Sequence, residues 1–144
     1  MSIIIYTDGA CLGNPGVGGW GVVILDNKKI IEIHGGSDQA TNNQMELKAA
    51  IEGLKYFAHK KSITLFTDSK YVKDGISSWI DKWKINGWKT ANKKSVKNKQ
   101  LWQDLDYQIK KHEVNFKWIK GHTGEKYNER ADMLARKYID DFAD

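Results

Sequence analysis

Apolar residues in the first part of the chain fall in three short runs. Residues 3–8 predict a buried strand that ends in Asp8, and residues 20–25 and 30–34 predict two more strands. A glycine-rich loop over 9–19 is expected between the first two strands. Because the connections are short, the three strands are predicted to form an antiparallel meander.

The rest of the chain alternates between helical spacing and short apolar runs. These patterns predict, in order, a helix that begins near Thr41 or Asn42, a strand over 63–66, helices over about 69–83 and 101–109, a strand over 114–118 and a helix over 131–138. The order predicts an α/β fold with a single mixed five-stranded sheet, three antiparallel strands plus parallel strands, flanked by helices. We expect one domain over 1–144.

Two of the predicted strands end in the same short sequence, an aromatic residue followed by Thr and Asp. The first strand ends in Asp8 and the fourth in Asp68. A strand–helix–strand connection makes these two strands candidates for parallel neighbours. The two aspartates would then lie at the carboxyl ends of adjacent strands, which is where open α/β sheets bind ligands.

Composition restricts the class of protein. The chain has 144 residues, of which 40% are hydrophobic and 28% charged, values typical of a globular domain. No apolar run reaches the roughly 18 residues of a membrane span, and the opening run is too short for a signal peptide. The single cysteine, Cys11, excludes an internal disulfide and a cysteine zinc site, so we expect a cytoplasmic protein.

Positive charge is concentrated in residues 82–103, which we call the basic segment. It carries seven lysines and no acidic residue, whereas the formal net charge of the whole chain is +5. The remaining residues are therefore slightly acidic in sum. Such a block is typical of a surface that binds a polyanion. Charge alone leaves a solvated lysine-rich surface equally open.

Four acidic residues lie where a carboxylate is unexpected. Asp8 and Asp68 end apolar strands, Glu46 lies beside the apolar stripe of its helix, and Asp132 lies near the start of the last helix. Each alone is more simply explained as a turn, cap or first-turn acid. Together, beside a basic segment, they are better explained as a site for Mg²⁺ or Mn²⁺, because converging carboxylates repel one another without a cation.

Around these acidic residues the sequence closely resembles the bacterial type 1 ribonuclease H family, whose members cut the RNA strand of RNA–DNA hybrids. The similarity extends over nearly the whole chain and follows the family's order. The matching segments are 6–16, 41–47, 67–72, 79–84, 87–90, 118–122 and 128–132. One such segment would be weak evidence, but together they are specific.

The resemblance implies a ribonuclease H-like fold and a nuclease that uses two metal ions. Asp8, Glu46, Asp68 and Asp132 would bind two Mg²⁺ ions, or Mn²⁺ as a substitute, and Asp8 would touch both. The reaction would leave 5′-phosphate and 3′-hydroxyl ends. His122, in a glycine-flanked loop, would assist proton transfer or product release, a role that suits a side chain titrating near neutral pH.

The resemblance also implies which residues contact an RNA–DNA hybrid. Glu46 would accept a hydrogen bond from a 2′-hydroxyl beside the scissile phosphate. The basic segment resembles the family's DNA-binding handle, so hybrid binding should weaken with salt. Lys70 stands where the family often has glutamine. Trp79 could stack against a sugar or base of the hybrid, or it could equally well pack against the core. The predicted substrate-binding residues are Cys11, Asn14, Thr41, Asn42, Asn43, Lys70, Trp79, Lys84, Lys89, Lys94 and Lys97.

Two other functions stay open at the level of the sequence. A DNA-cutting relative would share the fold and the carboxylates, and a hybrid-binding protein without catalysis would share the basic segment. The asparagines and the loop at Gly121 and His122 argue against the first, and the four intact carboxylates argue against the second. We expect a monomer with no obligate protein partner and no membrane association. We also expect low processivity, because the first strand begins at residue 3 with no hybrid-binding module before it.

Overall fold

The computed structural model describes residues 3–121 and 124–143, which form a five-stranded sheet and its flanking helices. The strands are β1 (Ile3–Gly13), β2 (Gly16–Asp26), β3 (Lys29–Ala40), β4 (Ser62–Thr67) and β5 (Glu113–Trp118). The helices are α1 (Asn42–Lys55), α2 (Lys70–Asp74), α3 (Ile80–Ile85), α4 (Lys99–Lys111) and α5 (Lys126–Ala143), with a π-helical turn (Gly75–Trp79) between α2 and α3. Within the described ranges, no helix has the length and apolar character needed to cross a membrane.

The sheet has the strand order β3-β2-β1-β4-β5. β1, β2 and β3 form the predicted antiparallel meander, and β4 runs parallel to both β1 and β5. The predicted mixed sheet is confirmed, including the parallel pairing of the two strands that share an ending. Thr7 and Thr67 are partners across β1 and β4, so Asp8 and Asp68 follow at the same edge of the sheet.

The glycine-rich region over 9–19 is not a loop, and that prediction is wrong. β1 continues to Gly13 and β2 begins at Gly16, with strand partners on both sides of a tight turn. Glycine provides clearance here: a Cβ on Gly9 would lie 2.5 Å from the backbone nitrogen of Glu46. The strand keeps glycine at this position because α1 crosses it at close range. The second and third strands are likewise longer than predicted.

Helices cover both faces of the sheet. On one face, α1 and α4 pack on a core that includes Ile5, Leu47 and Trp102, all fully buried. On the other face, α5 packs through Ala131 against Val23 of β2. Burying one large apolar side chain contributes roughly 1.5–3 kcal/mol, so these two cores fix where α1 and α5 cross the strands.

Helix α1 begins at a complete capping box. The Oγ1 of Thr41 accepts a hydrogen bond from the backbone nitrogen of Gln44 at 3.2 Å. The Oε1 of Gln44 accepts one from the backbone nitrogen of Thr41 at 3.0 Å. An N-terminal cap of this kind stabilises a helix by about 1 kcal/mol. It confirms the predicted start of the helix and places Glu46 in the first turns, on the buried side.

The basic segment spans the end of α3, a stretch of turns and the start of α4. Val96 is its buried anchor among the turns. Tryptophan rings tie the segment to the core: the ring centroid of Trp83 lies 6.2 Å from that of Trp88 and 5.5 Å from that of Trp102. The basic segment is therefore packed against the core through a small cluster of tryptophan rings.

Candidate active site

Three of the four predicted carboxylates lie together beside the central strands β1 and β4. Asp8 belongs to β1, Asp68 directly follows β4, and Glu46 comes from α1, which crosses β1 at Gly9. Each residue offers one carboxylate oxygen, and the three atoms lie within 4.8 Å of one another. We call these three residues the carboxylate cluster. Its spacing could hold a divalent cation, for which carboxylate oxygens are hard, well-suited ligands.

The Asp8 carboxylate ionises with difficulty. It is 5% exposed, and its Oδ1 accepts a hydrogen bond from the backbone nitrogen of Gly9 at 2.9 Å. Burial, followed by the influence of Asp68 and Asp132, raises the pKa of Asp8 to about 9. Without a cation, burial and the neighbouring carboxylates therefore disfavour the ionised form of Asp8 in the folded protein.

Glu46 is as buried as Asp8, and among the described residues one of its oxygens lacks a hydrogen-bond partner. It is 5% exposed, and no hydrogen-bond donor among the described residues reaches its Oε1. Burial, followed by the charges of Asp8 and Asp68, raises the pKa of Glu46 well above its ordinary value. Buried oxygens without partners are rare because they lose hydration and gain nothing in return. A divalent cation would satisfy this oxygen and relieve the repulsion, so the residues present fit a metal site.

Asp68 is held by a hydrogen-bonded turn between β4 and α2. The Oγ1 of Thr67 accepts a hydrogen bond from the backbone nitrogen of Ser69 at 3.1 Å. The Oγ of Ser69 accepts one from the backbone nitrogen of Val72 at 3.1 Å and thereby caps α2. Neither hydroxyl residue was predicted to belong to the site. Their signal was present, because small hydroxyl residues on both sides of an acid at a strand end are typical of such a turn.

Trp118, the last residue of β5, and Gly121, three residues later, both lie beside Asp68. The Nε1 of Trp118 donates a hydrogen bond to the carbonyl oxygen of Asp68 at 3.2 Å. A Cβ on Gly121 would lie 2.9 Å from the Oδ2 of Asp68, so glycine leaves room for the carboxylate. Neither residue was predicted to contact Asp68, because both are distant from it along the chain.

Asp132 lies on α5 at the rim of the cluster. Its side chain is partly exposed, and its Oδ2 lies 2.8 Å from the guanidinium of Arg136, one helical turn later. It is close enough to Asp8 to help raise the pKa of that residue. The structure therefore brings the fourth predicted carboxylate to the site, beside the tight group of three.

His122, the predicted proton-transfer residue, lies outside the described residues. The residue before it, Gly121, lies against Asp68, beside the cluster. The role of His122 stays a prediction.

Four predicted substrate-binding residues gather at the start of α1. Asn42 and Asn43 are exposed in its first turn, next to the cap residue Thr41. The Oδ1 of Asn14, between β1 and β2, accepts a hydrogen bond from the backbone nitrogen of Asn42 at 3.2 Å. We call these four residues the polar rim. Because Glu46 lies on the same helix, the polar rim continues from the carboxylate cluster.

Cys11 and Lys70 flank these two groups. The Sγ of Cys11 donates to the carbonyl oxygen of Ala40 at 3.1 Å, directly before Thr41, and burial raises the pKa of the thiol. Lys70 is exposed at the start of α2, two residues after Asp68. Cys11 is therefore a neutral neighbour of the polar rim, and Lys70 is a charged neighbour of the cluster.

The structure separates the predicted lysines of the basic segment into two groups. Lys89, Lys94 and Lys97 are exposed. Lys84 instead forms an ion pair with Asp106 of α4 at 2.7 Å, and the hydrogen bond to this carboxylate raises the pKa of Lys84. The exposed group is the one available to a ligand without breaking an existing contact.

Trp79, the predicted stacking residue, is half-buried between two other aromatic rings. Its ring centroid lies 5.7 Å from that of Tyr71 and 5.8 Å from that of Trp83. It also packs against the main core. These contacts are those of a packing residue, which is the alternative that the sequence left open.

Together these features define an α/β protein with an acidic, metal-compatible site at the carboxyl ends of two parallel strands. The chain belongs to the RNase H family: the family model described as RNase H matches residues 1–140. It is 58% identical over 139 residues to a protein named Ribonuclease H from Wolbachia pipientis wMel, covering 96% of each chain. The family and the hydrolase class predicted from the sequence are confirmed.

Solved structures agree with this assignment. LC9-RNase H1, described as a type 1 RNase H with the type 2 active-site motif, matches with a TM-score of 0.82 at 30% identity, over 93% of this chain and 70% of that one. LC11-RNase H1, solved in complex with an RNA/DNA hybrid, matches with a TM-score of 0.75 at 25% identity, over 99% of each chain. The predicted ribonuclease H-like fold is therefore confirmed.

Proposed function

We propose that this protein is an endoribonuclease that hydrolyses the RNA strand of RNA–DNA hybrids and leaves 5′-phosphate and 3′-hydroxyl ends. The carboxylate cluster carries the proposal, because its oxygens lie within 4.8 Å and one Glu46 oxygen lacks a partner among the described residues. Membership of the RNase H family supports the reaction class. The hybrid bound to the neighbour LC11-RNase H1 supports the substrate class.

Mg²⁺ is the proposed cation, with Mn²⁺ as a substitute, because the donors are hard carboxylate oxygens. Asp8, Glu46 and Asp68 would hold the metal. Asp132, at the edge of the carboxylate cluster, would be a further ligand. Asp8 suits the role of shared ligand, because both Asp68 and Asp132 contribute to its raised pKa. Divalent cations held by these carboxylates would supply an activated water and charge stabilisation for the leaving oxygen in an in-line displacement at phosphorus.

Residues beside the cluster are proposed to move a proton and to select the strand. His122 would exchange a proton near the reacting phosphate or assist product release, because an imidazole titrates near neutral pH. The position of the preceding residue, Gly121, against Asp68 supports this role. Glu46 and the polar rim would contact the 2′-hydroxyl and backbone groups that distinguish RNA from DNA.

The DNA strand is proposed to lie along the basic segment. Lys89, Lys94 and Lys97 are exposed there and would contact phosphates, which makes binding dependent on salt. Trp79 and Lys84 would act less directly, since one packs on the core and the other is already paired.

We further propose that residues 1–144 act as one catalytic domain, as a monomer, in the cytoplasm. One family model over 1–140 and one continuous sheet support a single domain. The lone cysteine suits a reducing compartment, where disulfides are rare.

A cleavage assay on matched duplexes tests the proposed function. An RNA–DNA hybrid, an RNA duplex and a DNA duplex of one sequence are each incubated with the protein in Mg²⁺ or in EDTA. We expect cutting of the RNA strand of the hybrid alone, and only in Mg²⁺. Cutting of the DNA duplex would favour a DNA-cutting relative. Tight, salt-sensitive hybrid binding without cutting would favour a non-catalytic binding protein.

A further inference from the structure

Trp118 ends β5 beside the carboxylate cluster, although 38% of its surface is exposed. Parallel pairing of β4 with β5 stops at this residue: Trp118 is the partner of Thr67, and the backbone nitrogen of Ile119 donates to the Thr67 carbonyl oxygen at 2.9 Å. Asp68 is the first residue beyond the pairing. The Nε1 of Trp118 donates to the Asp68 carbonyl oxygen at 3.2 Å, so a side chain continues the hydrogen bonding where the backbone ladder ends.

A cation from the neighbouring helix holds the indole ring in place. The Nζ of Lys73, on α2, lies 5.1 Å from the centroid of the Trp118 ring, which is a cation–π contact. The backbone nitrogen of Lys73 donates to the Ser69 carbonyl oxygen at 3.1 Å. Lys73 is therefore hydrogen-bonded to Ser69, the cap residue that follows Asp68, and the Trp118 ring lies against the helix that begins just after Asp68.

The chain that follows Trp118 also contacts the side chain of Asp68. A Cβ on Gly121 would lie 2.9 Å from the Asp68 Oδ2, so the chain passes close over the carboxylate. The region from 118 to 121 thus lies against Asp68 at two places: Trp118 donates to its carbonyl oxygen, and Gly121 leaves room beside its carboxylate. A metal ligand must be held to within about 0.5 Å of its productive position, so a contact that fixes its backbone affects metal binding.

We infer that Trp118 is a positioning residue: its indole N–H fixes the Asp68 backbone and thereby directs the Asp68 carboxylate toward the metal. This inference rests on the proposed function, in which Asp68 is a metal ligand. The competing explanation is that the exposed ring contacts nucleic acid. The two differ in the absence of substrate, because positioning changes the cation affinity of the free protein and contact with nucleic acid does not.

The substitution Trp118→Phe separates these roles, because it keeps an aromatic ring beside Lys73 and removes the N–H donor. The Mn²⁺ affinity of the full chain, without nucleic acid, is measured by isothermal titration calorimetry. The kcat and KM for an RNA–DNA hybrid are measured at one fixed Mn²⁺ concentration. Trp88→Phe is the matched control for metal binding, since it makes the same change within the basic segment. Circular dichroism melting reports whether each variant is folded.

We expect Trp118→Phe to weaken Mn²⁺ binding by about tenfold and to lower kcat, with KM for the hybrid within about twofold of wild type. Trp88→Phe should bind Mn²⁺ as wild type does. If Trp118→Phe binds Mn²⁺ with unchanged affinity, the inference is overturned. A raised KM would then indicate contact with nucleic acid, and lowered stability alone would indicate a structural role. Loss of the fold in this variant would likewise overturn the inference in favour of a structural role. A wild-type protein that binds no Mn²⁺ would contradict the proposed function as well, so the two failures are distinguishable.

Discussion

The carboxylate cluster and the basic segment carry charges of opposite sign and hold them in opposite environments. Asp8 and Glu46 are each 5% exposed and lie close together, whereas Lys89, Lys94 and Lys97 stand in solvent. Close buried charges interact strongly and depend on geometry, while exposed charges act through a field that salt screens. The cluster should therefore govern the chemical step and its metal, and the basic segment should govern affinity and its salt dependence.

The largest expected effect is the loss of cleavage in Asp8→Asn. Removing the proposed shared ligand takes away several kcal/mol of transition-state stabilisation, which is about a thousandfold or more in kcat. Hybrid affinity should change by less than about tenfold, because the basic segment is intact. Gel assays of cleavage and fluorescence anisotropy of a labelled hybrid measure the two quantities. Equal loss of cleavage and hybrid binding would show that the cluster also governs affinity, and would contradict the division of roles between the cluster and the basic segment.

Removing charge from the basic segment should weaken binding and spare the chemistry. We expect the triple variant with Lys89, Lys94 and Lys97 changed to Gln to bind a hybrid at least about tenfold more weakly at low salt. Its kcat at saturating substrate should match wild type. The slope of log affinity against log salt should be shallower by roughly 2–3, close to one per lost phosphate contact.

A matched control tests whether position or net charge matters in that experiment. It removes the same number of exposed lysines elsewhere on the molecule, namely Lys28, Lys29 and Lys55. Affinity and salt slope should stay close to wild type in this control. Equal weakening in both triple variants would show that net charge, and not the basic segment, drives hybrid binding.

Asp8→Asn should also stabilise the metal-free protein, increasingly so as pH rises. The pKa of Asp8 is raised from 3.8 to about 9, so the folded state binds a proton that the unfolded state has already released. Stability from this group is therefore lost as pH rises toward 9. Asparagine avoids the loss, so its gain in melting temperature in EDTA should grow from pH 5 to pH 9. A gain that shrinks over this range would contradict the burial of a repelling carboxylate.

His112 is the opposite case, a buried titratable group with partners for both ring nitrogens. Its Nδ1 accepts from the backbone nitrogen of Lys61 at 3.0 Å, and its Nε2 then donates to the carbonyl oxygen of Leu54 at 3.0 Å. Burial lowers the pKa of this imidazole, so the folded state favours the neutral ring. The resulting stability is present above a pH of about 6.5 and is lost as pH falls below it.

The substitution His112→Gln tests this pH dependence. It should lower the free energy of unfolding by roughly 1–2 kcal/mol near neutral pH, because buried hydrogen bonds are lost. The difference from wild type should shrink as the pH falls toward 5. His59→Gln, at an exposed position, is the control and should show no such trend. Urea unfolding at several pH values measures the difference, and a gap that is constant with pH would contradict the prediction.

The smallest expected effect is that of Lys84→Gln. Because Lys84 is paired with Asp106, its loss should lower stability by at most about 1 kcal/mol and hybrid affinity by less than about twofold. Lys89→Gln should weaken hybrid binding more and leave stability unchanged. Anisotropy and urea unfolding of both single variants measure these effects. If Lys84→Gln weakens binding as much as Lys89→Gln, the ion pair opens on binding and Lys84 belongs with the exposed lysines.

Strand endings predicted that Asp8 and Asp68 lie side by side, whereas the joining of Glu46 and Asp132 to them was implied by the family resemblance. The shared ending of two strands placed Asp8 and Asp68 side by side, and the register of Thr7 with Thr67 confirms the parallel pairing. Helical spacing placed Glu46 on the buried side of α1. These signals are local, and strand pairing and helix packing convert them directly into positions in space.

Contacts between distant segments could not be predicted in the same way. Glycine at 9 looked like a turn residue because nothing nearby in the sequence shows that α1 crosses β1 there. The hydrogen bond from Trp118 to Asp68 and the pairing of Lys84 with Asp106 likewise join residues far apart in the chain. Periodicity specifies which face of an element is buried, and it does not specify which side chain of another element meets it.

Melting temperatures of wild type and Asp8→Asn, in EDTA and in increasing Mg²⁺, test most directly whether the buried carboxylates form a cation site. A ligand that binds only the folded state raises stability in a saturable way. In EDTA, wild type should melt at a lower temperature than Asp8→Asn. The melting temperature of wild type should rise as Mg²⁺ is added. Asp8→Asn should respond little. An equal response in both proteins, or no response in wild type, would contradict the proposed metal site.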